Sequence, residues 1–194
     1  MKRLKIMLQA SVIQMVLTLF VASTAFANDE SGIWADVAAG KSLIILRHAL
    51  APGTGDPTNF DINQCSTQRN LSNTGIEQAT RIGAMFKSNG INQASVYTSQ
   101  WCRCVDTANT MNIGSVQELP ELNSFFAEPE KKPAQMQALA EWLAELEAEG
   151  PVILVTHQVV ISALTGVYPT SGEAVVFKHK TDGSIEVMHR IVTD

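Results

Sequence analysis

Ser42-Leu43-Ile44-Ile45-Leu46-Arg47-His48 runs four large apolar residues together and then straight into an arginine and a histidine. A run of this length without polar alternation is what a strand covered on both faces presents. Val152-Ile153-Leu154-Val155-Thr156-His157 repeats the pattern near the other end of the chain, again with a histidine directly after the last strand residue. Between and around these two runs, strand and helix signals alternate. That pattern implies an α/β fold: a three-layer sandwich about a mostly parallel central sheet.

Working outward from the first run, residues 49–71 form a long loop rich in turn formers, among them Pro52, Gly53, Gly55, Asp56 and Pro57. Its length exceeds an ordinary connection and points to a functional loop. Ser72 or Asn73 can cap a helix that runs to about Asn89, where Gly90 stops it. Ile76, Ala79, Ile82 and Phe86 give that helix its predicted apolar stripe. Ala94 to Thr98 reads as a strand, Trp101 to Met111 as a helix, and Val116 to Leu119 as a weaker strand. Pro133 to Glu149 is a predicted helix with Met136, Leu139, Ala140, Leu143 and Leu146 on one side. Val159 to Thr165 reads as a short helix. Two extended segments, Ala174 to Lys178 and Ile185 to Val192, flank Asp182-Gly183, a hairpin turn signal.

The chain has 194 residues, with 14 Lys plus Arg against 19 Asp plus Glu and a formal charge of −5. Seven prolines and 12 glycines are ordinary numbers, so a collagen-like or low-complexity chain is excluded. The first 27 residues have a composition of their own. Lys2, Arg3 and Lys5 precede a mostly apolar stretch, Ile6 to Val21, and Ala25 and Ala27 supply small residues at the −3 and −1 positions of a cleavage site. This reads as a secretory signal over residues 1–27, with the remaining domain over 28–194. Gln9 and Gln14 interrupt the stretch, which is also short for a bilayer span, so no stable membrane span is expected after processing. Removing three cations and no carboxylate takes the charge from −5 to −8. An acidic exported domain gives no reason to expect nucleic acid as a partner, and the expected location is a bacterial periplasm. An oxidising compartment permits a disulfide among Cys65, Cys102 and Cys104. Cys65 can bridge either of the other two. A metal site and a catalytic thiol are the alternatives at these cysteines.

The chemistry collects at strand ends. Arg47 and His48 close the first strand, Arg103 lies just after the second, and His157 closes the late one. In an open α/β sheet, ligands bind outside the carboxyl ends of the strands. Two guanidiniums and two imidazoles on one edge of an acidic protein suit a phosphate group. Each arginine can grip two phosphate oxygens. Their charge favours a neutral, nucleophilic imidazole, so His48 can attack phosphorus while His157 stabilises transition-state charge. No metal-ligand spacing is visible, and no cofactor is required. His179 and His189 fall in the terminal hairpin and read as surface residues.

LIILRHA, NLSNTGIEQA, VYTSQWCRCVDTA and VILVTHQ, in this order, resemble the histidine phosphatase superfamily, the phosphoglycerate mutase-like group, branch 1. The resemblance spans roughly Ser42 to Gly166. It implies a phosphoric monoester hydrolase with His48 as nucleophile and Arg47, Arg103 and His157 as the phosphate pocket. The substrate it implies is a small phosphate ester or a phosphoprotein; by analogy of location, an envelope sugar phosphate is one such ester. A phosphate-binding module that has lost turnover is the alternative.

Three departures from the family pattern stand out. Ala49 and Gln158 each occupy a position where the family usually has glycine. Ser124 follows Leu122-Asn123 where the mutase-like pattern has a glutamate that donates a proton, which argues against a mutase cycle. Glu121 is the expected substitute acid, with Glu128, Asp56, Asp61 and Glu173 as other carboxylates within sequence reach. Compact family members lacking that glutamate hydrolyse phosphoryl groups with good leaving groups, so an acid can also be dispensable. Arg69 lies four residues after Cys65 and can add a cation to the pocket; Trp101 can form part of its wall.

Overall fold

The structure, a computed structural model, describes residues 31–193; the signal-type segment lies outside the described residues. Residues 31–38 are helical (α1), and then the chain alternates: β1 (Leu43–Arg47), α2 (Asn73–Ser88), β2 (Ala94–Thr98), α3 (Cys102–Met111), β3 (Gly114–Glu118), α4 (Lys132–Glu145), β4 (Val152–Thr156), α5 (Gln158–Thr165), β5 (Ala174–His179) and β6 (Ile185–Ile191). Among the described residues, six strands form one sheet in the order β3-β2-β4-β1-β5-β6. β3, β2, β4 and β1 run parallel, whereas β5 and β6 form an antiparallel edge. The Asp182-Gly183 turn joins that edge, with Gly183 at φ +80. This is the expected three-layer α/β sandwich.

The two apolar runs became the two central strands, paired in register from Ile44 beside Ile153 to Arg47 beside Thr156. Their side chains feed both cores. Ile44, Leu46, Ile153 and Val155 point to one face, against Trp34, Val37, Ile82, Phe86 and Met111 of α1, α2 and α3. Leu43, Ile45, Val152 and Leu154 point to the other, against Leu139, Leu143, Val160 and Ile161 of α4 and α5. Each such fully buried side chain is worth about 1.5–3 kcal/mol of transfer free energy.

Three sequence expectations are corrected. Ile76 is 46% exposed and does not belong to the apolar stripe of α2. Gly75 faces inward in that first turn, so close to the Leu50 carbonyl that a β-carbon there would lie 2.1 Å from its oxygen. The buried stripe is Gly75, Ala79, Ile82, Gly83 and Phe86. Ala140 is exposed, and α4 stops at Glu145 rather than Glu149. Leu146 turns extended (φ −68, ψ 113), because Leu146 and Ala148 pack onto the second core while residues 148–150 abut the turn at Gly40; tertiary packing overrides local helix preference there. Among the described residues, no helix is long and apolar enough to cross a membrane.

Candidate active site

The carboxyl ends of β1, β2 and β4 open into a cavity of about 470 Å³. Arg47, His48, Arg69, Arg103 and His157 all line it. His48 leaves β1 beside His157, which leaves β4. The His48 amide donates to the Thr156 carbonyl at 2.9 Å, and the two imidazoles meet edge to face with ring centres 5.5 Å apart. Arg103 sits in the first turn of α3, 2% exposed. Arg69 comes from the long first loop.

The hydrogen bonds fix the state of each histidine. His48 Nδ1 lies 2.7 Å from the Ala49 carbonyl, which can only accept, so Nδ1 carries the proton. Burial, helped by the charges of Arg103, Arg47 and Arg69, pulls its pKa down to about 3 against the pull of that carbonyl. The ring is therefore neutral near pH 7, and Nε2 holds a free electron pair. His157 Nε2 lies 2.9 Å from Ser99 Oγ, and Ser99 Oγ donates to Asn123 Oδ1 at 3.2 Å. The serine proton is thus committed to Asn123, and His157 Nε2–H donates to Ser99. His157 Nδ1 faces Arg103 Nη2 at 3.5 Å. Burial, then His48 and the arginines, hold His157 well below its ordinary pKa.

Asp56 organises the cations. Its Oδ1 accepts from Arg103 Nη1 at 2.7 Å and from the Arg69 amide at 3.0 Å. Its Oδ2 accepts from Trp101 Nε1 at 3.0 Å and Arg103 Nη2 at 3.2 Å. Burial raises its pKa, but the Arg103 and Arg69 hydrogen bonds outweigh that and leave it below the ordinary aspartate value. Arg69 Nε donates to the Gly55 carbonyl at 2.8 Å and its Nη1 donates to Ala51. Arg47 Nη1 donates to the Pro169 carbonyl at 2.9 Å. Nε of Arg47 and Nε of Arg103 are buried without a partner. Two unsatisfied donors on cations in one cleft are what an oxyanion would satisfy.

Glu121 is not among the residues lining the cavity, and its Oε2 is buried without a hydrogen-bond partner. Leu122 beside it is fully buried, and its carbonyl accepts from Thr156 Oγ1 at 2.5 Å, so the short turn Pro120–Leu122 is anchored through Leu122. Ser124 and Glu128 do line the cavity; Glu128 is half-exposed and pairs with Lys131 at 2.6 Å. Asp61 instead holds the first loop through Asn63 and Gln64. Glu173 is clamped by Arg190 at 2.6 Å. His179 and His189 lie half-buried on β5 and β6, away from the cavity.

Cys65 and Cys102 form the disulfide, tying the first loop to the start of α3. Cys104 remains a buried free thiol. Its Sγ lies 3.5 Å from His157 Nε2, and burial pushes its pKa up to about 12, so it is a thiol rather than a nucleophilic thiolate. The sequence reading missed Ser99, Asn123, Phe60 and Phe126. Only the Leu-Asn pair before Ser124 carried any signal for them.

Residues 43–127 match the model of the histidine phosphatase superfamily, branch 1. That span holds Arg47, His48, Arg69 and Arg103; His157 joins them through the fold. Solved structures share the fold at low identity. The protein histidine phosphatase SixA complexed with tungstate is 17% identical, with 77% of this chain and 96% of that one covered and a TM-score of 0.57. A mycobacterial glucosyl-3-phosphoglycerate phosphatase is 16% identical, covering 76% and 96%, with a TM-score of 0.56. A phosphoserine phosphatase from Entamoeba histolytica, in complex with 3-phosphoglyceric acid, is 15% identical, covering 79% and 98%, with a TM-score of 0.55. Among curated proteins, none matches the chain by sequence. The family model matches residues 43–127, and the solved structures share the fold.

Proposed function

We propose that the chain is an exported phosphomonoester hydrolase, working in a bacterial periplasm after loss of residues 1–27, with a small phosphate ester or a phosphoprotein as substrate. The observation that carries the reading is the free Nε2 of a neutral His48 in a cavity that Arg47, Arg69 and Arg103 also line. These guanidiniums hold the phosphate. His48 Nε2 attacks phosphorus, the N–P bond forms and the ester oxygen leaves with the bonding pair. Water then attacks phosphorus, the N–P bond breaks, its pair returns to Nε2 and inorganic phosphate departs. Arg103 and His157 offset the charge that builds on the equatorial oxygens.

The test is p-nitrophenyl phosphate hydrolysis by the mature protein with chelator present, beside His48→Ala. Chelator-resistant turnover that falls by at least about a thousandfold in the variant, roughly 4 kcal/mol of barrier, is the expected result. A folded wild type that binds phosphate without turning it over would overturn the hydrolase in favour of a phosphate-binding module.

A further inference from the structure

Beyond the anion cradle, the cavity changes character. Phe60 stacks on Trp101 with ring centres 5.1 Å apart and planes 20° from parallel, and Trp101 meets His157 edge to face at 5.3 Å. The aromatic wall therefore begins one ring away from the phosphoryl site. Phe126 faces the same cavity and is 55% exposed, although its neighbour Phe125 is 5% exposed. Its Cε1 comes within 3.9 Å of where a β-carbon on Gly55 would lie, so the ring leans over the first loop. A large exposed aromatic on a cleft rim is surface left for a ligand. The carboxylates available to protonate a leaving group are few. Of the described residues lining the cavity only Asp56 and Glu128 carry one. Asp56 accepts four hydrogen bonds, two from the Arg103 guanidinium, one from a backbone amide and one from an indole, and Glu128 is already paired with Lys131.

Resting on the hydrolase reading, we infer that the substrate is the phosphate monoester of a phenol, its ring held against Phe126 and the Phe60–Trp101 stack. Such a leaving group needs no proton in the transition state. The P–O bond breaks as the His48 N–P bond forms, the phenolate carries off the pair, and it takes a proton from water afterwards. An offset aromatic contact stabilises a bound aryl ring beyond the burial of its area, whereas an alkyl alkoxide would find neither a ring-to-ring contact nor an unpaired acid in the cavity.

Binding calorimetry with benzylphosphonate and 2-hydroxyethylphosphonate separates ring recognition from leaving-group chemistry. The expected result is at least tenfold tighter binding of the benzyl compound, with the ratio falling below threefold in Phe126→Ala; that side chain is mostly exposed, so the fold does not depend on it. In turnover, kcat/KM should fall as leaving-group pKa rises across substituted phenyl phosphates, with glucose 6-phosphate far below them. A phosphotyrosyl peptide at least as good as phenyl phosphate assigns a protein source for the aryl ester, and one tenfold poorer a small-molecule source. Equal binding of the two phosphonates in an enzyme that hydrolyses p-nitrophenyl phosphate overturns the aryl class and leaves the hydrolase standing. Failure of both to bind overturns the anion cradle with it. Glucose 6-phosphate turned over as well as phenyl phosphate also overturns the aryl class.

Discussion

The floor and the mouth of the cavity are built on different principles. The floor sits at strand ends. His48, Arg103 and His157 are 2–4% exposed, and the histidines are pinned by carbonyls and by a serine–asparagine relay. The mouth is made of loop, residues 53–60 and 124–128, with an exposed phenylalanine and a half-exposed glutamate. A rigid sheet edge fixes the groups whose geometry the chemistry cannot relax, and the loops are left to choose what the phosphate is attached to. Two devices couple the regions: the Cys65–Cys102 disulfide and the Asp56–Arg103 ion pair.

Breaking the disulfide should have the largest effect. It closes a sequence separation of 37 residues, worth about 4 kcal/mol on the chain-entropy account. Reduction, or Cys65→Ser, is expected to lower the unfolding free energy by about 2–4 kcal/mol in a denaturant titration. Hydrogen exchange should quicken over 53–69 while the amides of β1 and β4 keep their protection. Uniform loss of protection across both regions would mean that floor and mouth form one cooperative unit.

Asp56→Asn tests the second coupling. It keeps the volume but removes the charge that holds both Nη atoms of Arg103. We expect kcat/KM for an aryl phosphate to fall ten- to a hundredfold, roughly 1.4–2.8 kcal/mol, mainly through a higher KM, with melting little changed. A lower KM would show that Asp56 competes with phosphate for Arg103 instead of aiming it.

The floor was legible in the sequence and the mouth was not, for the same reason. An apolar run ending in Arg47-His48, and another ending in His157, fix side chains whose position follows from strand geometry alone. Fold class, the pairing of β1 with β4 and the meeting of Arg47, His48 and His157 at one sheet edge are all consequences of that pattern. Asp56 was visible only as one carboxylate among several, because its role depends on the path of a loop rich in glycine. Gly55 takes φ +70 to present the carbonyl that Arg69 holds, a conformation glycine adopts at little cost. Phe126 carried no periodic signal, since it lies between elements. Ile76 misled in the other direction: its spacing suits the α2 stripe, but the backbone of Leu50 comes so close that only Gly75 fits the inward position.

Acid should separate the regions most finely. The two floor histidines are neutral and buried, with folded pKa values below the ordinary 6.5, His48 at about 3. Between those limits the unfolded chain binds a proton that the folded chain refuses, so each histidine makes stability rise with pH and fall on acidification below about 6.5. The slope is about 1.4 kcal/mol per pH unit for each fully titrating histidine. The mouth carboxylate Asp56 has a lowered pKa and contributes only at lower pH, where carboxylates protonate. Unfolding titrations at pH 6, 5.5 and 5 therefore report mainly the floor. His48→Asn is expected to flatten the slope in that window by about 1.4 kcal/mol per pH unit, whereas Asp56→Asn should leave it nearly unchanged. An unaltered slope in His48→Asn would mean that His48 takes up its proton in the folded state, which would remove the free Nε2 pair on which nucleophilic attack depends.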